Sequence, residues 1–518
     1  MITAAASFVE GSAAVAAALA AAGVLVLREP RARALAMPAA LILALGAVAL
    51  ISGSTITDDV SGRGALVAAA GVAGVVALLA LAVAFVKRPG WFALAVVLTL
   101  PFRIPVPTGA DDTANLLLPL YGVIAAGVLA HLWRVLRGAD DPPRDDPRAR
   151  RVCAALAVVV VLYALQALYS TDLEHAVKTL GFFYVPFAVM MRLLVELRWS
   201  RRLVLQALYV TVGLALLFAA VGFVEMATGR LLISNEKVLA ANDLKPYFRV
   251  NSLFFDPNVY GRFLALVMVV LAGVLLWAPA RRDVARVAVG LALLWAALVL
   301  TLSESSFAAL LVGLAVLAAL RWRSLPVVAV CGGALLIGLV LILAAPSQLG
   351  IHTSSFSAVN ETSSGRAKLV RGGLRIAADR PLFGYGSGSF ADQYRTREKV
   401  VSSRISAESH TIPVTVAAEQ GLIGLAAYAW LLFSAFELVF GGLKRTLRRR
   451  PAGVVLVARC VVAAGFCALL LHTLVYAAFL EDPLTWTLLA MAAALRRVDP
   501  EGAADAAARS DRAASYSV

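Results

Sequence analysis

Charge is scarce in this chain, and acidic charge scarcest. Only 15% of its 518 residues are charged, and Lys and Arg outnumber Asp and Glu by 47 to 32. Polar interruptions are few too: apolar runs of about 17–25 residues recur throughout, the length a helix needs to cross roughly 30 Å of hydrocarbon. A soluble protein of this size would not bury so much unbroken apolar length, and the mean hydropathy of +0.84 agrees. Cysteine is rare. Cys153, Cys331, Cys460 and Cys467 all lie in apolar stretches without a CxxC or a paired histidine, which leaves neither a disulfide framework nor a zinc site and makes them small buried hydrophobes. The chain has no Walker motif, no GxSxG and no HExxH, so ATP-driven and standard hydrolase chemistries lack support. No solenoid-type repeat is visible, and no basic segment precedes the first apolar run, so a cleaved signal peptide is not expected.

What is present is an all-α, polytopic transmembrane helical bundle of roughly 12–15 spans. Spans are expected near 11–27, 35–53, 65–86, 90–106, 114–136, 152–170, 179–197, 203–227, 257–279, 286–302, 306–321, 326–345, 412–440, 452–478 and 483–496. The basic excess falls in short connections, among them Arg28/Arg31/Arg33, Arg148/Arg150/Arg151, Arg198/Arg201/Arg202 and Lys444–Arg450. That is a positive-inside pattern, which explains the net charge without nucleic acid and makes the bilayer the partner. The expected organisation is extra N-terminal spans (1–88), a transmembrane core (89–345), a long extracytoplasmic loop (346–411), C-terminal spans (412–497) and a disordered cytoplasmic tail (498–518).

The loop 346–411 is the polar exception, with nine cations against five carboxylates from Glu361 to Glu408. Within it, A-K-L-V-R-G-G-L-R-I-A-A-D-R-P predicts an amphipathic helix on the outer leaflet, with Leu369 and Ile376 on one face and Arg371 and Arg375 four apart. Pro381 ends that helix, and G-Y-G-S-G at 384–388 predicts a flexible turn.

Of the five histidines, His410 alone sits where a polar loop re-enters the membrane, beside Glu408 and Ser409. An imidazole there can take a proton from an attacking hydroxyl, or simply bond at a helix N-terminus. His472, inside a span, is either a helix-packing polar group or a second pocket residue. Arg249 and Arg366 flank the membrane on the loop side; each can neutralise a diphosphate without titrating, or serve as an interfacial snorkelling cation. Glu304, in the turn T-L-S-E-S-S-F, is an alternative acid or base, and Asp111–Asp112 are either a solvated pair or a holder of a divalent cation.

Four stretches in order carry a family resemblance: R-V-N-S-L-F-F-D-P-N-V-Y-G (249–261), T-L-S-E-S-S-F-A-A-L (301–310), G-R-A-K-L-V-R-G-G-L-R-I-A-A-D-R-P-L-F-G-Y-G-S-G-S-F (365–390) and S-H-T-I-P-V-T-V-A-A-E-Q-G-L-I-G-L (409–425). Together they resemble the O-antigen ligase and O-antigen polymerase family of membrane glycosyltransferases. The resemblance implies metal-independent, inverting transfer of glycan from an undecaprenyl-diphosphate-type carrier to an acceptor hydroxyl of a glycan or glycolipid, at the outer face of a bacterial plasma membrane. It needs no cofactor. It implies that His410 acts on the acceptor and that Arg366 and Arg249 engage the diphosphate, with Glu304, Arg371 and His472 as further candidates. Two positions depart from the family pattern: its usual Thr-x-Ser-Arg-Gly turn is Thr301-Leu302-Ser303-Glu304-Ser305 here, and its usual His-Asn pair is His410-Thr411. Ligase and polymerase share these residues; a lipid-linked glycan transporter or flippase is the reading from another class.

Overall fold

The computed structural model describes residues 2–52, 64–107, 113–138, 145–233, 239, 242, 247–277, 281–322, 326, 366–398, 411–449, 452–476 and 478–498. Eleven helices among them are long and apolar enough to cross a membrane. The bundle begins with α1 (Ile2–Val26), α2 (Pro30–Ser52), α3 (Gly64–Lys87) and the short α4 (Gly90–Thr99). The span expected over 90–106 is therefore not one helix. Pro101 and Pro105 cannot donate backbone bonds, the helix stops before them, and β1 (Ile104–Pro107) instead pairs antiparallel with β2 (Thr113–Leu116). This hairpin is the one sheet among the described residues of an otherwise all-α protein. Asp111 and Asp112, and the span expected over 326–345 apart from Pro326, lie outside the described residues.

Next come α5 (Leu118–Leu136), α6 (Pro147–Ala167), and a segment built from α7 (Leu173–Thr179), a π turn (Leu180–Tyr184) and α8 (Val185–Glu196). They are followed by α9 (Arg201–Thr228), α10 (Pro257–Trp277), α11 (Arg281–Thr301) and α12 (Glu304–Arg321). The polar loop contributes α13 (Arg366–Asp379) and α14 (Phe390–Glu398), and the chain closes with α15 (Ile412–Phe440), α16 (Leu443–Arg449), α17 (Val454–Tyr476) and α18 (Pro483–Val498). One continuous apolar core runs through the bundle; Ile376, Phe390, Tyr394 and Ala418 form a second, smaller one under the loop.

The two ends of the bundle differ. At the basic end, buried charges close on one another. The Glu196 Oε1 atom lies 2.5 Å from Arg33 Nε and 2.7 Å from Arg192 Nε, and its Oε2 lies 3.0 Å from His131 Nε2. Arg192 Nη1 reaches Asp145 Oδ2 at 2.6 Å, and Arg496 Nε reaches Asp146 Oδ2 at 2.9 Å. These contacts tie α2, α5, α8 and α18 to the residues that begin α6. At the loop end lie α13, α14 and the polar turns of the next subsection.

Candidate active site at the loop end

The site is assembled from turns joining membrane helices. Glu225, fully buried near the end of α9, accepts the amides of Leu232 (2.9 Å), Asn251 (3.1 Å) and Ser252 (2.7 Å). One carboxylate thus shapes the turn R-V-N-S. The Asn242 side chain brackets Arg249 from the other side, accepting its amide at 3.0 Å and donating to its carbonyl at 3.1 Å. Arg249 is left with its guanidinium directed at the neighbouring turn: Nε donates to the Thr301 carbonyl (2.9 Å) and Nη2 to Asn258 Oδ1 (3.3 Å).

That neighbouring turn joins α11 to α12. Leu302 holds φ +49, a conformation that costs a side-chain-bearing residue free energy. It turns Ser303, Ser305 and Ser306 into the protein and leaves Glu304 exposed. Ser303 Oγ lies 2.8 Å from Ser306 Oγ, and Ser305 Oγ lies 3.2 Å from His472 Nε2. Besides Leu302, the side-chain-bearing residues with positive φ among the described residues are Ser252 and Ala478, and all three sit at this end of the bundle. Backbone strain is concentrated where the polar groups meet.

His472 is fully buried on α17. Its Nδ1 makes no hydrogen bond of ordinary geometry, although the Asn258 carbonyl is close. Arg262 and Arg366 are the cations that bear on the ring electrostatically. Arg249 and His472 therefore meet one serine turn, and Arg366, at the start of α13, bears on the same ring. Glu304 is turned out of it, and Arg371 lies exposed along α13 in a broad groove with Arg366, Val370 and Leu374. His410 lies outside the described residues; its neighbour Thr411 donates to the carbonyl of Leu474, two residues beyond His472.

The glycine-rich turn, expected to be flexible, is clamped. Gly384 (φ +67) lies so close to α15 that a Cβ there would stand 2.2 Å from the Glu419 carbonyl oxygen. Tyr385 N donates to Ala418 O (3.1 Å) and Gly386 N to Glu419 O (2.9 Å), while α15 breaks at Gly421 and returns a bond from Leu422 N to Pro381 O (2.7 Å). The buried Glu419 carboxylate then accepts Gly388 N at 2.8 Å and Phe390 N at 3.1 Å. From α6 and its end, Tyr169 and Ser170 donate to the carbonyls of Phe383 and Ser387, each at 2.7 Å. Helix α13, expected to lie on the lipid surface, is seated by the same device: Ile376 is buried against Phe390 and Tyr394 and only part of its apolar face, including Leu374, is exposed.

Three groups escaped the sequence reading. Arg262 and Asp482 form a buried ion pair, Nη2 to Oδ2 2.6 Å, and Glu419 is the clamp just described. Each is an ionisable residue within or beside an apolar run, the signal that should have singled them out. No cluster of three or more His, Cys, Asp or Glu side chains fit to hold a metal occurs among the described residues.

A search of the curated proteins finds no match to this chain. Residues 289–429, from α11 through the strained serine turn and the clamped loop into α15, match the family model described as O-antigen ligase. That match takes in two of the turns that build the polar centre, and over this stretch the chain is similar to the O-antigen ligase family.

Proposed function

We propose that the loop-end centre transfers glycan from a lipid diphosphate to an acceptor hydroxyl at the outer face of a bacterial plasma membrane. The observation that carries this reading is the meeting of Arg249 and His472 at one serine turn, at the end of a membrane bundle where Arg366 opens a cation-rich helix. Fixed guanidinium charge is what a departing diphosphate requires, because arginine presents donors in a planar fork and does not titrate.

In the proposed step an acceptor oxygen attacks the anomeric carbon. The bond from that carbon to the diphosphate oxygen breaks as the glycosidic bond forms, with inversion. The acceptor proton passes to the His410 imidazole, and the negative charge gathering on the lipid diphosphate is met by Arg366 and Arg249. His472 and Ser305 line the polar centre beside these arginines and fix its shape. The clamped loop holds α13, and with it Arg366, against α15, so donor charge meets a prearranged partner.

Membranes containing the full chain and given lipid-linked glycan test this directly. Transfer with release of lipid diphosphate is expected. Glycan accumulating inside vesicles with no new glycosidic bond overturns the reading in favour of transport. A ladder of repeats identifies polymerisation; one block moved to a second acceptor identifies ligation.

A further inference from the structure

One cation at the loop end is buried with donors to spare. Arg262, on the second turn of α10, is 2% exposed. Its Nη2 meets Asp482, but Nε and Nη1 are buried without a hydrogen-bond partner among the described residues. A guanidinium cannot shed its proton to relieve burial, so only an acceptor can satisfy those donors. The local acids are already shared. Asp482 also faces Arg103 and caps α18 by accepting Leu484 N at 2.9 Å. Asp256 is engaged by Tyr476 and accepts the Asn258 amide at 2.6 Å.

The side of approach follows from space. The cavity between Arg262, Arg103 and Asp482 holds about 20 Å³, room for one water-sized group and too little for a phosphate. Arg262 follows Gly261, where a Cβ would stand 2.7 Å from Ser306 Oγ, so its helix packs directly on the serine turn that reaches His472 through Ser305. With the Asp482 side too small for a phosphate, the serine-turn side is the one left for an anion.

We propose that Arg262 is the deep anion contact of this centre, taking oxygens of the donor's diphosphate with Nε and Nη1 while Nη2 stays on Asp482. This rests on the transfer reading above and adds to it a third arginine, set inside the bundle, and a positioning aspartate.

Equilibrium binding of a short prenyl diphosphate, inorganic pyrophosphate and the matching prenyl alcohol to the full chain in nanodiscs tests it, with thermal unfolding run in parallel. Arg262→Gln is expected to weaken both diphosphates by about 10–100-fold, the size of lost hydrogen bonds to a charged group, and to leave the alcohol unchanged. Arg262→Lys keeps the charge and the Asp482 partner but fewer donors, so it guards against misfolding; an intermediate loss is expected. Asp482→Asn keeps the cap on α18 and removes the competing charge, so prenyl diphosphate is expected to bind more tightly. Equal losses for diphosphate and alcohol in the Arg262 variants make the residue a structural support and overturn the proposal. Unchanged diphosphate binding overturns it as well. If the wild-type chain holds prenyl diphosphate no better than the alcohol, the donor reading itself fails, and Arg262 with it. Loss for the prenyl compound but not for pyrophosphate points to a lipid-headgroup effect and counts against a diphosphate contact.

Discussion

The two ends of this bundle solve the problem of buried charge in opposite ways. At the basic end Arg33 and Arg192 share Glu196, and Arg192 also holds Asp145. At the loop end, Arg249 spends its guanidinium on a carbonyl and an amide oxygen, and Arg262, paired with Asp482 through one nitrogen, keeps two without a hydrogen-bond partner among the described residues. Closed pairs fasten helices, whereas open donors leave room for a further acceptor. The contrast separates scaffold from site more sharply than residue type does, because arginine dominates both ends.

The largest effect that would sharpen this contrast is expected from His410→Ala, which should lower transfer by about 10²–10⁴, the usual contribution of a general base, in protein that still folds. Near-normal turnover on lipid-linked glycan would remove the imidazole from the step. At the opposite end, Glu196→Ala takes the carboxylate from Arg33 and one of two from Arg192, and should cost about 3–5 kcal/mol of stability, as breaking buried pairs does. Thermal unfolding should fall while turnover per folded molecule holds. A turnover defect without a stability defect would blur the distinction between the ends.

Gly384→Ala forces a methyl toward the Glu419 carbonyl and a left-handed backbone onto alanine, the latter alone costing about 1–2 kcal/mol. Limited proteolysis between α13 and α14 should quicken and donor use should fall, since Arg366 loses its seat; unchanged cleavage would mean the clamp is dispensable. The smallest effect is expected for Glu304→Gln, an exposed side chain, with transfer within about twofold, as surface changes within ±0.5 kcal/mol permit. A large loss there would return Glu304 to the chemistry and undo the serine-facing reading of the turn.

Most of the bundle could be read from apolar length alone, because a span is a local property of some twenty residues. The failure at 90–106 came from weighing apolarity over Pro101 and Pro105, which end the helix and yield to a hairpin. Within the site, Arg249 and Arg366 were visible as cations beside apolar runs, and His472 as a polar residue inside one. What stayed hidden was pairing across long separations. Nothing near Arg262 announces Asp482, and nothing near G-Y-G-S-G announces that Glu419 will hold its amides. Glycines permit bending and tight seating alike, and only the tertiary partner decides between them.

The break at Gly421 has a consequence for how such a chain can change. Arg366 owes its location to a rivet between Pro381–Phe390 and a membrane helix rather than to the length of polypeptide leading up to it. A change that loosens this rivet, whether in the Gly-rich turn or on α15 at Glu419 and Gly421, is therefore expected to move α13 and Arg366 as one unit, so two stretches far apart in sequence must vary together to keep that cation in place.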